Sequence, residues 1–391
     1  MKTLPDNPNL DHLKQQAKEH LAGLRDQSPG CSLAHAQASL AGQYGFRGWA
    51  ELKAEVDRRR GLADVADPAL ARAVADAYGL GEVTGEMRSL ARPDESGRHW
   101  SLETDRGRWA VCTMDTWWPI VDVETEVALQ RAAAAAGVLL PAPVRSRAGA
   151  ITASVGGHTW RAYEWLHSGP PMTAPASASV TRAVGGILAT LHGLALPVDR
   201  ISPWHQLRLS GASWPELAAR ADGADWAPVL AEVVPTLMEL DTVGEGATPA
   251  APVLSHNTLG PGRVRRGPNG RLVVFGWEHA GGQPPQWELG DALMHWTVDP
   301  SGGVNAVGAR ALVEGYRETA GAVPALDLGM FRGAVTSLAN YVSGQVNHAL
   351  DAKEDEDRRY AARSVRHLLT HLPTRSTLER LLDAVAIDRD R

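Results

Sequence analysis

The order of patterned segments constrains the fold of this chain more than any other feature of its sequence. Short runs with strand-like alternation lie between residues 99 and 164, and one helical pattern, Val123–Ala136, lies among them. After Gly169-Pro170-Pro171 the periodicity becomes helical, and only one β-rich island interrupts it, Val253–Trp277. This order predicts an α+β fold in which a small β-rich lobe is joined by a hinge to a larger helical lobe.

A separate helical pattern precedes these lobes. Apolar residues recur at the spacing of one helix face after the potential cap Asn9, and further helical runs follow the break at Ser28-Pro29-Gly30. Four of the five lysines lie in the first 53 residues, and none occurs between Ala54 and Ala352. We therefore predict three units: a helical module at 1–62, a small β-rich lobe at 63–168 and a large helical lobe at 169–391.

The composition excludes several classes of function. The net charge is −6, from 39 basic and 45 acidic residues, so the chain lacks the basic surface that nucleic-acid binding requires. Two cysteines are too few for a disulfide scaffold or a cysteine zinc site. The amino terminus has no signal-peptide pattern, and no apolar run approaches the roughly 18 residues of a membrane span. We expect a cytoplasmic protein with no membrane and no nucleic-acid partner.

Several segments together carry a resemblance to a known family. They are Tyr78-Gly79-Leu80-Gly81-Glu82-Val83, the strand Arg106–Val111, the helix Glu126–Arg131, the lobe connection Tyr163-Glu164-Trp165-Leu166 and the stretch His256–Glu278. From about Tyr78 to Val298 the chain resembles the aminoglycoside phosphotransferases, the branch of the kinase fold that phosphorylates small molecules. The resemblance implies a two-lobed, protein-kinase-like fold with a ligand cleft between the lobes.

The chain departs from that family at the positions of the family's catalytic and metal-binding residues. The resemblance places the family's strand lysine at Cys112, which leaves the helix glutamate, Glu126, with nothing basic to pair with. It places the general-base aspartate at Thr258 and the magnesium-binding asparagine at Arg263. The second metal aspartate falls at Gly276. None of the last three positions offers the carboxylate oxygens that magnesium prefers.

Phosphoryl transfer depends on the groups that these positions have lost. The reaction needs magnesium, an oriented nucleophile and a cation on the phosphates. The loss of one such group costs ~10²–10⁴ in rate, and the glycine-rich loop is also reduced to Ser96-Gly97-Arg98. We interpret the chain as a pseudokinase with no metal site and no cofactor. It would act by binding a small molecule or peptide, or by scaffolding a partner, in antibiotic resistance or natural-product biosynthesis.

The resemblance also places a group of mostly aromatic residues near the cleft, namely Trp117, Trp118, Glu126, Trp165 and Trp277. Because lysine and aspartates are replaced by less polar residues, this cleft suits an apolar or flat ligand better than a triphosphate. The alternative interpretation of each tryptophan is that it belongs to the core.

Two other functions remain open at this point. His256, Glu278 and His279 are candidate acid–base groups for a non-phosphoryl reaction in the same cleft. In the family the loop histidine is structural, which makes His256 the weakest member of that group. The other open function is an active phosphotransferase with rearranged ligands.

The N-terminal module has a resemblance of its own. Leu10-Asp11-His12-Leu13-Lys14 and the stretch Tyr44–Lys53 resemble a short helical segment found ahead of bacterial ankyrin-repeat and other domains. The resemblance supplies no activity. We expect residues 1–62 to dock a protein partner or to mediate self-association.

Overall fold

A computed structural model describes residues 2, 4, 8–60, 65–90, 98–114, 119–352 and 355–386 of the chain. The first part folds into three helices, α1 (Leu10–Gln27), α2 (Leu33–Gln43) and α3 (Trp49–Arg60). Helix α1 begins where the Asn9 side chain accepts the backbone N–H groups of Asp11 and His12. The three helices enclose their own apolar core, with Phe46 and Trp49 at its edge. The predicted N-terminal helical module is confirmed.

The small lobe combines two helices with one antiparallel sheet. The helices are α4 (Pro68–Tyr78) and α5 (Val123–Ala135). The strands are β1 (Arg88–Ser89), β2 (His99–Thr104), β3 (Gly107–Thr113), β4 (Pro143–Val144), β5 (Ala153–Val155) and β6 (His158–Glu164). They are ordered β1-β2-β3-β6-β4, with β5 also paired to β6. A core of small-lobe residues lies between α4 and this sheet.

The register of the central strand places two side chains that matter for the cleft. Cys112 on β3 lies opposite His99 on one side and opposite Arg161 of β6 on the other. Directly opposed residues of an antiparallel pair project from the same face of the sheet. Cys112 and Arg161 are therefore neighbours on one face, although they are 49 positions apart in the sequence.

The large lobe is mostly helical and contains two short hairpin-like pairs. Its helices are α6 (Ala178–Gly193), α7 (Pro203–Gln206), α8 (Trp214–Arg220), α9 (Ala227–Asp241), α10 (Pro285–Thr297), α11 (Ala306–Ala320), α12 (Arg332–Asp351), α13 (Asp355–Thr370) and α14 (Arg375–Ala386). Strand β7 (Val253–Ser255) pairs with β10 (Gly281–Gln283), and β8 (Val264–Arg266) pairs with β9 (Leu272–Val274), both antiparallel. None of the described helices is both long and apolar enough to span a bilayer.

Helices α6 and α11 make the closest contact of the large lobe through two glycines. A Cβ on Gly185 would lie 2.0 Å from the carbonyl oxygen of Leu312, and a Cβ on Gly315 would lie 2.0 Å from that of Arg182. Only glycine at both positions lets the two backbones approach this far. This contact holds α6 in place. His192, near the end of that helix, lies beneath the segment that links β7 and β8. The predicted two-lobed α+β architecture is confirmed, while the unit boundaries at residues 62 and 168 stay predictions.

Candidate functional site

The segment between β7 and β8, where the resemblance places the family's catalytic loop, is held by the buried carboxylate of Glu288. The Glu288 carboxylate accepts the backbone N–H of Asn257 at 2.7 Å and the hydroxyl of Ser255, and it lies 2.9 Å from a ring nitrogen of His192. The other ring nitrogen of His192 is 2.8 Å from the Tyr316 hydroxyl. Burial would raise the pKa of Glu288, but its contacts with His192 and Ser255 lower it. The charged carboxylate thus fixes the backbone of the segment.

His256 is fully buried and both of its ring nitrogens have partners. Its Nε2 donates to the carbonyl oxygen of Phe275 at 2.8 Å, and its Nδ1 accepts the backbone N–H of Thr258 at 3.3 Å. Burial lowers the pKa of His256, so the ring is neutral. Trp277 packs edge-on against it, with ring centroids 4.9 Å apart, and donates its indole N–H to Val274. Both side chains belong to the core of the large lobe and hold the loop against β9.

Arg263 lies across Gly276, so two of the positions at which the resemblance places the family's metal-binding residues are in contact. Gly276 has a left-handed backbone with φ 79°. A Cβ built on it would lie 2.6 Å from Cδ and 3.0 Å from Nε of Arg263. The arginine side chain therefore fills the space into which a side chain at 276 would project. An aspartate could not be placed there without moving Arg263.

The guanidinium of Arg263 joins two of the candidate acid–base residues. One terminal nitrogen is 3.4 Å from Oε1 of Glu278, and the other is 3.0 Å from Nε2 of His279. Because arginine only donates, Nε2 of His279 must accept, which requires a neutral ring. Burial lowers the pKa of His279 to about 4. Burial would raise the pKa of Glu278, but Arg263 and His279 lower it to about 2. At pH 7 the cluster is thus an ion pair with a neutral histidine.

Glu126 forms a buried, two-pronged ion pair with Arg161. The two terminal nitrogens of Arg161 donate to the two carboxylate oxygens at 2.8 and 2.9 Å, and both side chains are only 2% exposed. Gln130 donates to the same carboxylate at 2.7 Å, and the Tyr163 hydroxyl accepts from Arg161 at 3.3 Å. The expectation that Glu126 has nothing basic to pair with is therefore wrong.

The partner of Glu126 comes from the strand beside the one that carries Cys112. Arg161 lies directly opposite Cys112, so the cation that pairs with Glu126 stands on the strand next to the position at which the resemblance places the family's lysine. Burial would lower the pKa of Arg161, but Tyr163 and Glu126 raise it, so the guanidinium stays charged. Burial raises the pKa of Glu126, and Arg161 opposes that shift. The one sequence signal was a charged residue between Trp160 and Ala162, in the middle of a strand pattern.

The aromatic residues expected at the cleft do not all lie together. Trp165 is partly buried at the lobe connection, with the guanidinium of Arg108 stacked 3.9 Å above its ring. Trp277 lies in the core, as described above. Trp117 and Trp118 lie outside the described residues, as do Ser96 and Gly97 of the shortened loop. Within the described part of the chain, no three histidine, cysteine or acidic side chains form a group that could hold a metal ion.

Comparison with sequence families decides the relationship. The profile described as "Phosphotransferase enzyme family" matches residues 86–322, more than half of the chain. The chain belongs to this phosphotransferase family. A second profile, described as "Glyoxalase superfamily protein", matches residues 3–106, which span the N-terminal module and the first strands. The resemblance of the module to the segment that precedes ankyrin-repeat domains stays a prediction.

Solved structures of phosphotransferases share the fold of this family member. Spectinomycin phosphotransferase in complex with ADP and spectinomycin superposes with a TM-score of 0.57 at 14% identity, covering 83% of this chain and 98% of that chain. Amicoumacin kinase in complex with AMP-PNP, Ca²⁺ and Ami has a TM-score of 0.54 at 14% identity, covering 83% and 96%. An aminoglycoside phosphotransferase from Alicyclobacillus acidocaldarius has a TM-score of 0.52 at 14% identity, covering 84% and 98%. No curated protein matches the chain. At this identity the likeness shows the fold alone, and the predicted kinase-like fold is confirmed.

Proposed function

We propose that this chain is a catalytically degenerate phosphotransferase-family protein of the cytoplasm that binds a small molecule or peptide in its inter-lobe cleft without magnesium. The contact of Arg263 with Gly276 carries the proposal. Magnesium prefers carboxylate oxygens, and the family-derived positions supply instead a hydroxyl at Thr258, a glycine and a guanidinium. The residues present therefore do not fit the metal, because the positively charged Arg263 side chain fills the space in which a metal-binding side chain at 276 would stand.

The state of the neighbouring groups supports the same conclusion. Thr258 cannot act as a general base at neutral pH, because a hydroxyl does not take up a proton there. Arg161 directs both terminal nitrogens at Glu126 and is almost fully buried, so it serves the lobe interior rather than a bound phosphate. The segment between β7 and β8, by contrast, keeps its hydrogen bond to the Glu288 carboxylate. A cleft without its reactive groups suits binding.

The acid–base alternative has less support from the geometry. Glu278 and His279 are both held by Arg263, and their closest approach, 3.5 Å between Oε1 and Nε2, is long for a hydrogen bond. His256 has a partner at each ring nitrogen. Side chains whose polar atoms already have hydrogen-bond partners are typical of structural polar clusters.

The neighbours suggest which ligands to test first. The spectinomycin phosphotransferase and amicoumacin kinase structures hold a nucleotide analogue or product together with the compound named in each. Antibiotic-like molecules are therefore the first class for this chain, with apolar and flat members favoured by its less charged cleft. Antibiotic resistance and natural-product biosynthesis are the settings in which such binding would act.

A turnover assay combined with a binding panel tests the proposal. The full chain is incubated with ATP or GTP, magnesium and an antibiotic panel, and the release of nucleoside diphosphate is followed. We expect release no faster than in the absence of protein, whereas thermal stabilisation by a panel compound persists in EDTA. A bound ligand at ~100 times its Kd stabilises by about 2.7 kcal/mol. Magnesium-dependent release that scales with protein concentration would establish the active phosphotransferase instead.

A further inference from the structure

A cavity of about 220 Å³ lies where helix α1 of the N-terminal module meets the large lobe. One side of it is formed by three residues of α1, Gln15, Gln16 and Glu19. The other side is formed by the start of the large lobe and the end of β8, namely Gly169, Pro170, Pro171, Met172, Thr173, Arg266 and Gly267. Concave spaces between two folded units are a common place for small-molecule sites.

The two sides of the cavity are connected by hydrogen bonds. The Gln16 side chain donates to the carbonyl oxygen of Pro171 at 2.7 Å, and the Tyr44 hydroxyl donates to the amide oxygen of Gln16 at 2.7 Å. Both carboxylate oxygens of Glu19 accept from Arg266, at 3.0 and 2.9 Å. The walls are therefore held in place before any ligand enters, which reduces the entropic cost of binding.

The contact between the module and the large lobe continues beyond the cavity, along residues 171–178. The Asp26 carboxylate accepts the backbone N–H of Ala178, the first residue of α6, at 2.9 Å. A Cβ on Gly23 would lie 2.0 Å from the carbonyl oxygen of Pro175, so the two backbones are in close contact there. The cavity is thus a local gap beside a close contact.

Thr173 supplies a hydroxyl that no protein group satisfies. Its side chain is 2% exposed, and its buried Oγ1 has no hydrogen-bond partner within the described part of the chain. A buried polar group without a partner is rare and costs free energy. The polar groups across the cavity are already engaged, because Glu19 accepts from Gln15 as well as from Arg266. The Thr173 hydroxyl is therefore the buried group of the lining that can pair with a ligand, either as donor or as acceptor.

The rest of the lining favours an apolar, uncharged ligand. Pro170 and Met172 offer hydrocarbon and thioether surface, and a methionine sulfur makes favourable contacts with aromatic rings. Glu19 and Arg266 neutralise each other, so a charged ligand would lose its hydration without gaining a counter-charge. Since an apolar cavity of about 150 Å³ holds benzene, the space here admits an aromatic ring that carries one further group.

We propose that this cavity is a second ligand site, formed jointly by α1 and the large lobe, which takes a small neutral phenol or aromatic alcohol. The ring packs against Pro170 and Met172, and the ligand hydroxyl pairs with that of Thr173. Because both walls contribute, an occupied site stabilises the contact between the module and the large lobe. The described lining shares no residue with the group expected at the inter-lobe cleft, so the inference does not depend on the proposed function.

Methyl NMR of the full chain, labelled with ¹³C in its methionine methyl groups, tests the site with phenol as the probe. Met172 lines the cavity, whereas Met238 is exposed on α9, and Met172→Leu assigns the relevant signal. Millimolar phenol at pH 7 should shift the Met172 signal saturably and leave that of Met238 in place. Benzoate, which places a negative charge on the same ring, should bind at least tenfold more weakly. A Met172 signal that does not move, or that responds equally to benzoate, would overturn the proposal.

Thr173→Val tests the hydrogen bond, with Thr336→Val as the matched control. Thr336 is a buried threonine of the same lobe and is not among the residues that line the cavity. Since the Thr173 hydroxyl has no partner to lose, Thr173→Val should fold like the parent. Toluene has the shape of phenol without its hydroxyl, so the ratio of the phenol affinity to the toluene affinity reports the hydrogen bond. This ratio should fall about 2- to 10-fold in Thr173→Val and stay constant in Thr336→Val. A ratio that is unchanged in Thr173→Val would refute the assigned class of ligand.

Discussion

Replacement of Arg161 by methionine tests the cross-strand ion pair, the feature of the small lobe that the sequence did not reveal. The substitution keeps most of the aliphatic volume and leaves the Glu126 carboxylate buried with Gln130 as its remaining partner. Removal of one member of a buried ion pair costs about 3 to 5 kcal/mol, because the other charge stays uncompensated. We expect a loss of that size, concentrated in α5 and its contact with the sheet.

The measurement is the free energy of opening of α5, taken from amide hydrogen exchange, together with a guanidinium chloride titration. Arg145→Met is the matched control. Arg145 makes the same two-pronged contact with a glutamate of the same helix, Glu124, at 2.8 and 2.7 Å, but that carboxylate is 59% exposed. Since exposed ion pairs contribute little, the control should change the opening of α5 hardly at all.

A second variant decides whether the position of the cation matters. Because Cys112 lies opposite Arg161, Cys112→Lys combined with Arg161→Met places a cation on the neighbouring strand, where the resemblance places the family's lysine. We expect this double variant to recover most of the stability that Arg161→Met loses. The explanation fails if Arg161→Met costs no more than Arg145→Met, or if the added lysine recovers nothing.

Two further predictions concern the contact of Arg263 with Gly276 and the N-terminal module. Gly276→Asp alone should destabilise the large lobe by about 1 to 3 kcal/mol, as overpacking does. Arg263→Asn in the same chain should relieve the part of this loss that comes from the collision, but not the strain of a side chain at φ 79°. Additive effects in a double-mutant cycle would show that the two side chains do not compete for one space. Burial lowers the pKa of His20 from 6.5 to about 4. Between these pH values the unfolded chain binds a proton at His20 that the folded chain does not bind. The free energy of unfolding should therefore fall as the pH decreases from 6.5 to 4, by about 3 kcal/mol in total. Guanidinium chloride titrations across this pH range should show that the free energy of unfolding falls with pH in the parent and falls less steeply in His20→Gln. Equal slopes in the two proteins would contradict the assignment of this pH dependence to His20.

The order of secondary structure was predictable because it depends on local periodicity. The alternation of His158–Glu164 gives β6 with its observed bounds, and the helix pattern from Val123 gives α5 to within one residue. Helix α14 was not predicted, although Leu378 and Leu381 bury its apolar face. Its buried residues Leu378, Leu381 and Val385 recur at the spacing of one helix face, so the local pattern was sufficient to predict it.

The contacts of the site were much less predictable than its elements. That Cys112 stands where the resemblance places the family's lysine is visible in the sequence, but the pairing of Glu126 with Arg161 depends on the register between β3 and β6. The crossing of Arg263 over Gly276 depends on the direction of a side chain at the end of a loop. The contact of the N-terminal module with residues 171–178 depends on small and polar residues, such as Gly23, whose partners lie about 150 positions later. Contacts between residues so far apart leave no periodic pattern in the sequence from which they could be predicted.

Calorimetric titration of the full chain with ATP and GTP, in the presence and absence of magnesium, tests the central claim most directly. If Arg263 fills the space of the family's metal-binding side chain, magnesium should change neither the affinity nor the heat of any nucleotide binding. The result that would contradict the account is a nucleotide affinity that rises at least tenfold when magnesium is added. Arg263 would then have to move aside to admit the ion, and the chain would rank as an unorthodox kinase.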